Sequence, residues 1–220
     1  MEQEKEVKKE QKQKKSNKLS GLLMIVLVVG ACVCYFFYMK GMVKPVVAIG
    51  GTEVTVDMTV QELINAGFSV GDSISGSGDM NLATQPQIPG ESYTSTFYYV
   101  YAKDSNGRNE YANVVYHVYN KNVNSVDFKD SQIYAYRYDP SFTFSKASVL
   151  VNGIDFVGLG AEDAITKLEE LGIKFDKKDK EELLSGERHI IFGDSGDYSY
   201  VIETDISDGH VTNVEAKLNV

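Results

Sequence analysis

The sequence predicts an α+β protein: a single N-terminal transmembrane helix followed by two tandem units, each a β-hairpin, an α-helix and a three-stranded antiparallel meander. Three observations predict it. An uncharged apolar run covers residues 19–39, one set of local signals occurs from residue 46 and again from residue 148, and turn dipeptides divide the rest of the chain into short strands.

Residues 1–18 carry seven lysines and four glutamates and read as a Lys-rich cytoplasmic tail, a solvated charge run rather than a recognition helix. The next run, LSGLLMIVLVVGACVCYFFYM, is 21 residues without a charge. A helix of about 20 apolar residues crosses a hydrocarbon core of about 30 Å, so 19–39 is expected to span the membrane as a signal-anchor. Lysine and arginine near a span stay on the cytoplasmic side, and only Lys40 and Lys44 come soon after it. The expectation is therefore a single-pass protein of the cell membrane, N-terminus cytoplasmic and C-terminal part extracellular. Two rivals stay open. The run can be a secretory signal that is removed, or Val29-Gly30-Ala31-Cys32 can be a lipoprotein processing site that leaves Cys32 as a lipidated N-terminus. Against the second, the run stays apolar from Val33 to Tyr38, where a processed lipoprotein has a polar tether. All three put the remainder outside the cell.

Charge divides at the same boundary. The chain has a net charge of −9; residues after 18 hold 15 of the 22 basic and 27 of the 31 acidic residues, a net of −12. So acidic a surface is repelled by nucleic acid and by anionic headgroups, which excludes both as ligands of that part. Both cysteines, Cys32 and Cys34, lie in the apolar run, leaving the rest without a disulfide or a thiolate metal site. Small secreted domains often lean on disulfides, and their absence points to a bacterial, Gram-positive surface.

After a linker at 40–45, unit 1 covers residues 46–140 and unit 2 residues 146–220. Unit 1 opens with Val46-Val47-Ala48-Ile49, Gly50-Gly51 and Glu53-Val54-Thr55-Val56; unit 2 opens with Ser148-Val149-Leu150-Val151, Asn152-Gly153 and Ile154-Asp155-Phe156-Val157. Gly-Gly and Asn-Gly between β-branched runs supply the positive φ angles of a two-residue hairpin turn. A helix comes next in each. Thr59 and Glu62 have capping-box spacing, Val60, Leu63 and Ile64 share a face, and Gly67 suits the left-handed C-terminal position. In unit 2, Ala161, Ala164, Ile165, Leu168 and Leu171 form the stripe and Gly172 ends it. The meander strands are expected at 96–103, 110–119 and 125–138 in unit 1 and at 189–192, 198–205 and 211–218 in unit 2. Asn106-Gly107, Ser195-Gly196 and Asp208-Gly209 mark their turns. Unit 1 alone carries an insertion at 71–95, rich in Gly and Ser, with too few apolar residues to hold itself down; it reads as filler or as a binding loop. Unit 2 has instead a charged stretch, 176–184, that suits one or two helical turns.

The sequence offers no catalytic, cofactor-binding or metal-ligating residue set. His117, His189 and His210 lack metal-motif spacing. Gly193-Asp194-Ser195-Gly196-Asp197 lacks the strand-to-helix context of a nucleophile and reads as a turn, and Gly76-Ser77-Gly78-Asp79 lacks the Lys-Ser/Thr of a phosphate loop. Acidic turns at Asp194, Asp197, Asp205 and Asp208 lack the EF-hand pattern. Tyrosine is the feature that folding explains least. Alternation puts Tyr99 and Tyr101 on one side of their strand with Phe97, and Tyr134, Tyr136 and Tyr138 on one side of theirs. These five, Tyr99, Tyr101, Tyr134, Tyr136 and Tyr138, are either ordinary core and rim or an interaction face that docks a protein or a cell-wall glycan.

The stretch Thr59-Val60-Gln61-Glu62-Leu63-Ile64-Asn65-Ala66-Gly67-Phe68, after a strand and a turn, resembles the opening of small envelope-anchored domains of Gram-positive bacteria. The tandem helix-on-meander layout is loosely similar to the β-lactamase-inhibitor-protein fold. These resemblances imply location and architecture and carry no catalytic residue. The functional expectation is a non-enzymatic, membrane-anchored binding or interaction protein of the cell envelope with a protein or envelope partner and no cofactor. The alternative is an accessory subunit or sensor acting through its membrane helix.

Overall fold

In the computed structural model, residues 27–30, 42–74, 78–142 and 145–219 are described. Of these, 40% lie in strands and 20% in helices, so the expected α+β class is corrected to a mainly β fold. The physical reason is length: turns every few residues interrupt the chain before helices can grow. Helices α1 (Val60–Asn65), α2 (Ala161–Glu170) and α3 (Lys177–Ser185) have six, ten and nine residues.

The expected transmembrane helix and signal-anchor over 19–39 are also corrected. Among the described residues no helix is long and apolar enough to cross a membrane. Four residues of that run, 27–30, are described, as helix, and about 20 are needed to cross. The rest of the run lies outside the described residues, as do the tail 1–18, Cys32 and Cys34. The expected placement in the cell membrane, with the N-terminus inside and the C-terminal part outside, rested on that helix and falls with it.

Residues 42–220 form one compact unit built on two sheets. The smaller has the order β2-β1-β8, from β1 (Val46–Ile49), β2 (Thr52–Thr55) and β8 (Val149–Val151). The larger contains β3 (Ser69–Gly71), β4 (Ser92–Tyr93), β5 (Tyr98–Lys103), β6 (Asn109–Asn120), β7 (Gln132–Tyr138), β9 (Lys174–Phe175), β10 (Ile190–Ser195), β11 (Tyr198–Thr204) and β12 (Val211–Leu218). Its order is β3-β5-β6-β7-β12-β11-β10-β9, with β4 added on β6.

That order is palindromic. Reading outward from the β7·β12 pair, each strand of the first half meets its counterpart from the second, and neighbouring strands are antiparallel throughout. The small sheet behaves the same way: Ala48 pairs with Leu150, flanked by Val47 with Val151 and Ile49 with Val149. Both units therefore contribute to both sheets, and a local two-fold relates them.

Local chemistry sets the connections. Gly50 and Gly51 take φ of +58° and +86°, and Asn152 and Gly153 +50° and +79°, the left-handed pair that turns a hairpin. Thr59 caps α1 through a full capping box, with the Glu62 amide donating to Thr59 Oγ1 at 3.1 Å and the Thr59 amide to Glu62 Oε2 at 2.7 Å. Both α1 and α2 stop at a glycine with near-identical φ, Gly67 at +101° and Gly172 at +102°. Asp176 caps α3 by accepting from the amides of Lys178 and Asp179.

One face of the large sheet is core. Directly paired residues share a face, and the row Gly193, Tyr200, Ala216, Tyr136, Tyr116, Tyr98 crosses six strands on that side. It packs with Val60 and Leu63 of α1, Ala164, Ile165 and Leu168 of α2, and Val47, Ile49, Val149 and Val151 of the small sheet. Each large side chain so buried contributes about 1.5–3 kcal/mol.

The segment 71–95, expected to lack the means to hold itself down, is anchored from outside itself. Buried Asn120 donates from Nδ2 to the carbonyls of Ile88, Pro89 and Asn124. Ile88 and Val126 exchange backbone hydrogen bonds, and Ile88 is buried. Residues 75–77 of the segment lie outside the described residues.

Candidate functional site

The other face of the large sheet carries the row Phe192, Val201, Glu215, Arg137, Val115, Tyr99, again across six paired strands. Two irregularities shape it. Opposite β7, His117 pairs with Ala135 but Val118 pairs with Ile133, so Tyr134 is an extra residue in its ladder, a β-bulge. Between β5 and β6, Tyr99 pairs with Val115 but Tyr101 with Tyr111, leaving residues 112–114 opposite Val100 alone. Asn113, at the middle of that excess, takes φ of +59°, a conformation open to asparagine and costly to most side chains.

These irregularities divide the five tyrosines. Tyr99 and Tyr134 are half-buried on the open face. Tyr101 keeps the side of Tyr99, as alternation dictates, but is only 2% exposed: Gly71 and Gly78 close over its ring, and its hydroxyl donates to the carbonyl of Ser73. A Cβ at Gly78 would stand 2.7 Å from that ring, which is why glycine is there. Tyr136 and Tyr138 are core residues of the opposite face, because the bulge at Tyr134 breaks the alternation that put all three together. The open face thus holds Tyr99 and Tyr134 of the five.

Other rings complete it. Phe97 lies 4.2 Å from His117, His117 5.6 Å from Tyr134, and Tyr134 6.0 Å from Tyr93, all between ring centroids. A second run links Tyr99, Tyr111 and Phe142 at 5.4 and 6.2 Å. Such tilted and edge-on geometry is the favoured one for aromatic pairs. Between the two runs opens a cleft of about 240 Å³, with Ile74 at one side and Arg137, Asp139, Asn113 and Asn213 among its polar lining.

The polar groups are tightly assigned. Arg137 pairs with Glu203 at 3.1 Å, donates from Nε to Asn213 Oδ1 at 2.9 Å, and lies 6.0 Å from the Phe97 ring centroid; Asn213 in turn donates to Glu203 at 3.1 Å. Asp139 accepts from the amide and hydroxyl of Ser141 at 3.0 and 2.7 Å. Asn113 donates from Nδ2 to the carbonyl of Phe142, while its side-chain oxygen Oδ1 is buried and has no hydrogen-bond partner among the described residues. Burial raises the Tyr111 hydroxyl above its ordinary range, with Tyr99 and Asp139 adding to the shift. Burial likewise lowers the His117 imidazole, so it stands neutral at pH 7.

The sequence pointed to tyrosine content and missed Asn113, Arg137, Asp139 and Phe142. A positive φ at asparagine has no short-range signature like that of Asn-Gly, and Phe142 comes from a connection outside any strand. Elsewhere, Ser195 is a hairpin turn residue whose hydroxyl accepts from the Val43 amide at 2.6 Å. Among the described residues there is no group of three or more His, Cys, Asp and Glu that could hold a metal ion.

The chain was compared with protein-family models, with curated proteins and with solved structures, and nothing in any of the three matches it.

Proposed function

We propose that residues 42–220 form a non-enzymatic binding module that holds a protein partner against the open face of its large sheet. The observation that supports this reading is the ring-lined cleft: large aromatic area with polar tips, placed on a sheet face that no described helix or second sheet covers. Phe97 is 39% exposed, Tyr93 66% and Phe192 56%. Apolar rings held partly in water on one face are what binding surfaces use and what folding alone leaves unexplained. Nucleic acid is disfavoured as the partner, since residues 42–220 hold 14 basic against 27 acidic residues.

The test is site-specific cross-linking with the full-length protein in its own cells. A photoreactive phenylalanine analogue placed at Phe97 is expected to give a discrete adduct with one protein. The same analogue at Val157, which is 64% exposed and lies outside this face, is expected to give none. No adduct at Phe97, or the same adducts from both positions, overturns the reading.

A further inference from the structure

We propose that the cleft beside Tyr99 accepts a lysine or arginine side chain from a basic segment of the protein partner. The inference rests on the binding-module reading and names the chemistry that the cleft recognises. Three independent observations ask for a positively charged hydrogen-bond donor. The side-chain oxygen of Asn113, Oδ1, is an acceptor without a donor among the described residues, in a side chain 6% exposed that lines the cleft, and a buried acceptor left unpaired is destabilising. Its orientation is fixed, because turning the amide over would set two carbonyl oxygens against each other at Phe142. Asp139 supplies a carboxylate on the same lining. Phe97, Tyr99, Tyr111 and Phe142 supply ring surface, and ring faces attract ammonium and guanidinium groups.

Arg137 does not stand in the way of a second cation. Its charge is matched by Glu203 at 3.1 Å and its Nε is taken by Asn213 at 2.9 Å. The formal charge of Arg137, Glu203 and Asp139 together is −1. An anionic ligand finds the opposite: an arginine already paired, a carboxylate, an acceptor oxygen and the negative faces of rings. At longer range, the excess of 27 acidic over 14 basic residues in 42–220 draws a basic segment toward the module. The partner's methylene groups lie along the rings while its head group donates to Asn113 and Asp139.

The experiment measures binding of a fluorescein-labelled hexalysine peptide to the full-length protein by anisotropy, at near-physiological ionic strength. Three variants accompany the wild type: Tyr99→Leu and Asp139→Asn in the cleft, and Glu170→Gln at the exposed end of α2. Circular dichroism confirms that each is folded. Hexalysine is expected to bind, Tyr99→Leu and Asp139→Asn to weaken it by about fivefold to tenfold, and Glu170→Gln to leave it unchanged. A hexapeptide of Nε-acetyl-lysine, which keeps the methylenes and loses the charge, is expected not to bind. Absence of hexalysine binding overturns the proposal, as does equal weakening by Asp139→Asn and Glu170→Gln, which is the mark of diffuse surface charge. If hexalysine fails while the Phe97 cross-link persists, the partner is not basic and the module reading survives. If both fail, the module reading falls as well.

Discussion

The two halves of the 42–220 unit occupy equivalent places in one strand order, yet the side chains they bring to the rows that cross the two faces of the large sheet differ. Along the open row, Tyr99 and Phe192 stand at the two ends, Val115 and Val201 come next inward, and Arg137 pairs with Glu215 at the centre. Along the core row, Tyr98 answers to Gly193, Tyr116 to Tyr200 and Tyr136 to Ala216. The first half fills its core with rings; the second, where Gly193 abuts Ile173 and Phe175, fills it with aliphatic and ring groups from neighbouring segments. Strand order is thus set by turns and alternation, which both halves share, and the cleft by irregularities, a bulge at Tyr134 and a left-handed Asn113, described for the first half.

The comparison breaks most visibly at Tyr136. It is 1% exposed, and the opposite half already has Ala216 at the equivalent place. Tyr136→Ala in the first half leaves a ring-sized cavity and is expected to cost about 3–5 kcal/mol by denaturant unfolding. Tyr99→Ser on the open face is expected to cost under about 1 kcal/mol. Equal losses from the two would show that the open face is packed as a core is, and the division between the faces would be wrong.

Tyr116 and Tyr200 give a sharper contrast at a smaller scale, because both are fully buried at equivalent positions. The Tyr200 hydroxyl donates to the carbonyl of Val43 at 2.9 Å and accepts from Asn152 Nδ2 at 2.9 Å. The Tyr116 hydroxyl has no partner among the described residues. Removing one side of a buried hydrogen bond costs about 1–3 kcal/mol, and removing an unpaired hydroxyl costs nothing or stabilises. Tyr200→Phe is therefore expected to lower the melting temperature and Tyr116→Phe to hold or raise it. The reverse ranking, read by calorimetry, would mean that the Tyr116 hydroxyl is satisfied.

What the sequence made legible was local. Gly50-Gly51, Asn152-Gly153 and Ser195-Gly196 declare their turns because few other residues tolerate positive φ, and all of these glycines have it. Thr59 and Glu62 declare a helix start because the box closes within four residues. What was illegible depends on distant partners. Tyr136 and Tyr138 left the expected face because His117 and Val118, on another strand, set the register that makes Tyr134 a bulge. The segment 71–95 is fixed by Asn120, beyond any window that could reveal it. The expected spanning helix rested on the length and apolarity of the run 19–39, of which residues 27–30 are described.

The smallest expected effect separates the halves by charge rather than by packing. His117 faces the open side of the first half, against Phe97 and Tyr134; at the far end of its row, in the second half, stands Ser199, which does not titrate in this range. Burial lowers the His117 imidazole, with Arg137 acting in the same direction and Glu215 against it. The folded state therefore holds the ring neutral at a pH where the unfolded chain, with its value of about 6.5, already binds a proton. The resulting stability is fully present above that unfolded value, falls as pH drops through it, and levels off below the folded value. His117→Phe keeps a ring beside Phe97 and removes the titration. Across about pH 7.5 to pH 5, the wild type is expected to lose more melting temperature than the variant, since the carboxylates common to both cancel in the difference. Parallel losses would mean that the imidazole has water or a partner enough to charge in place, and the first half would then differ from the second in its rings alone.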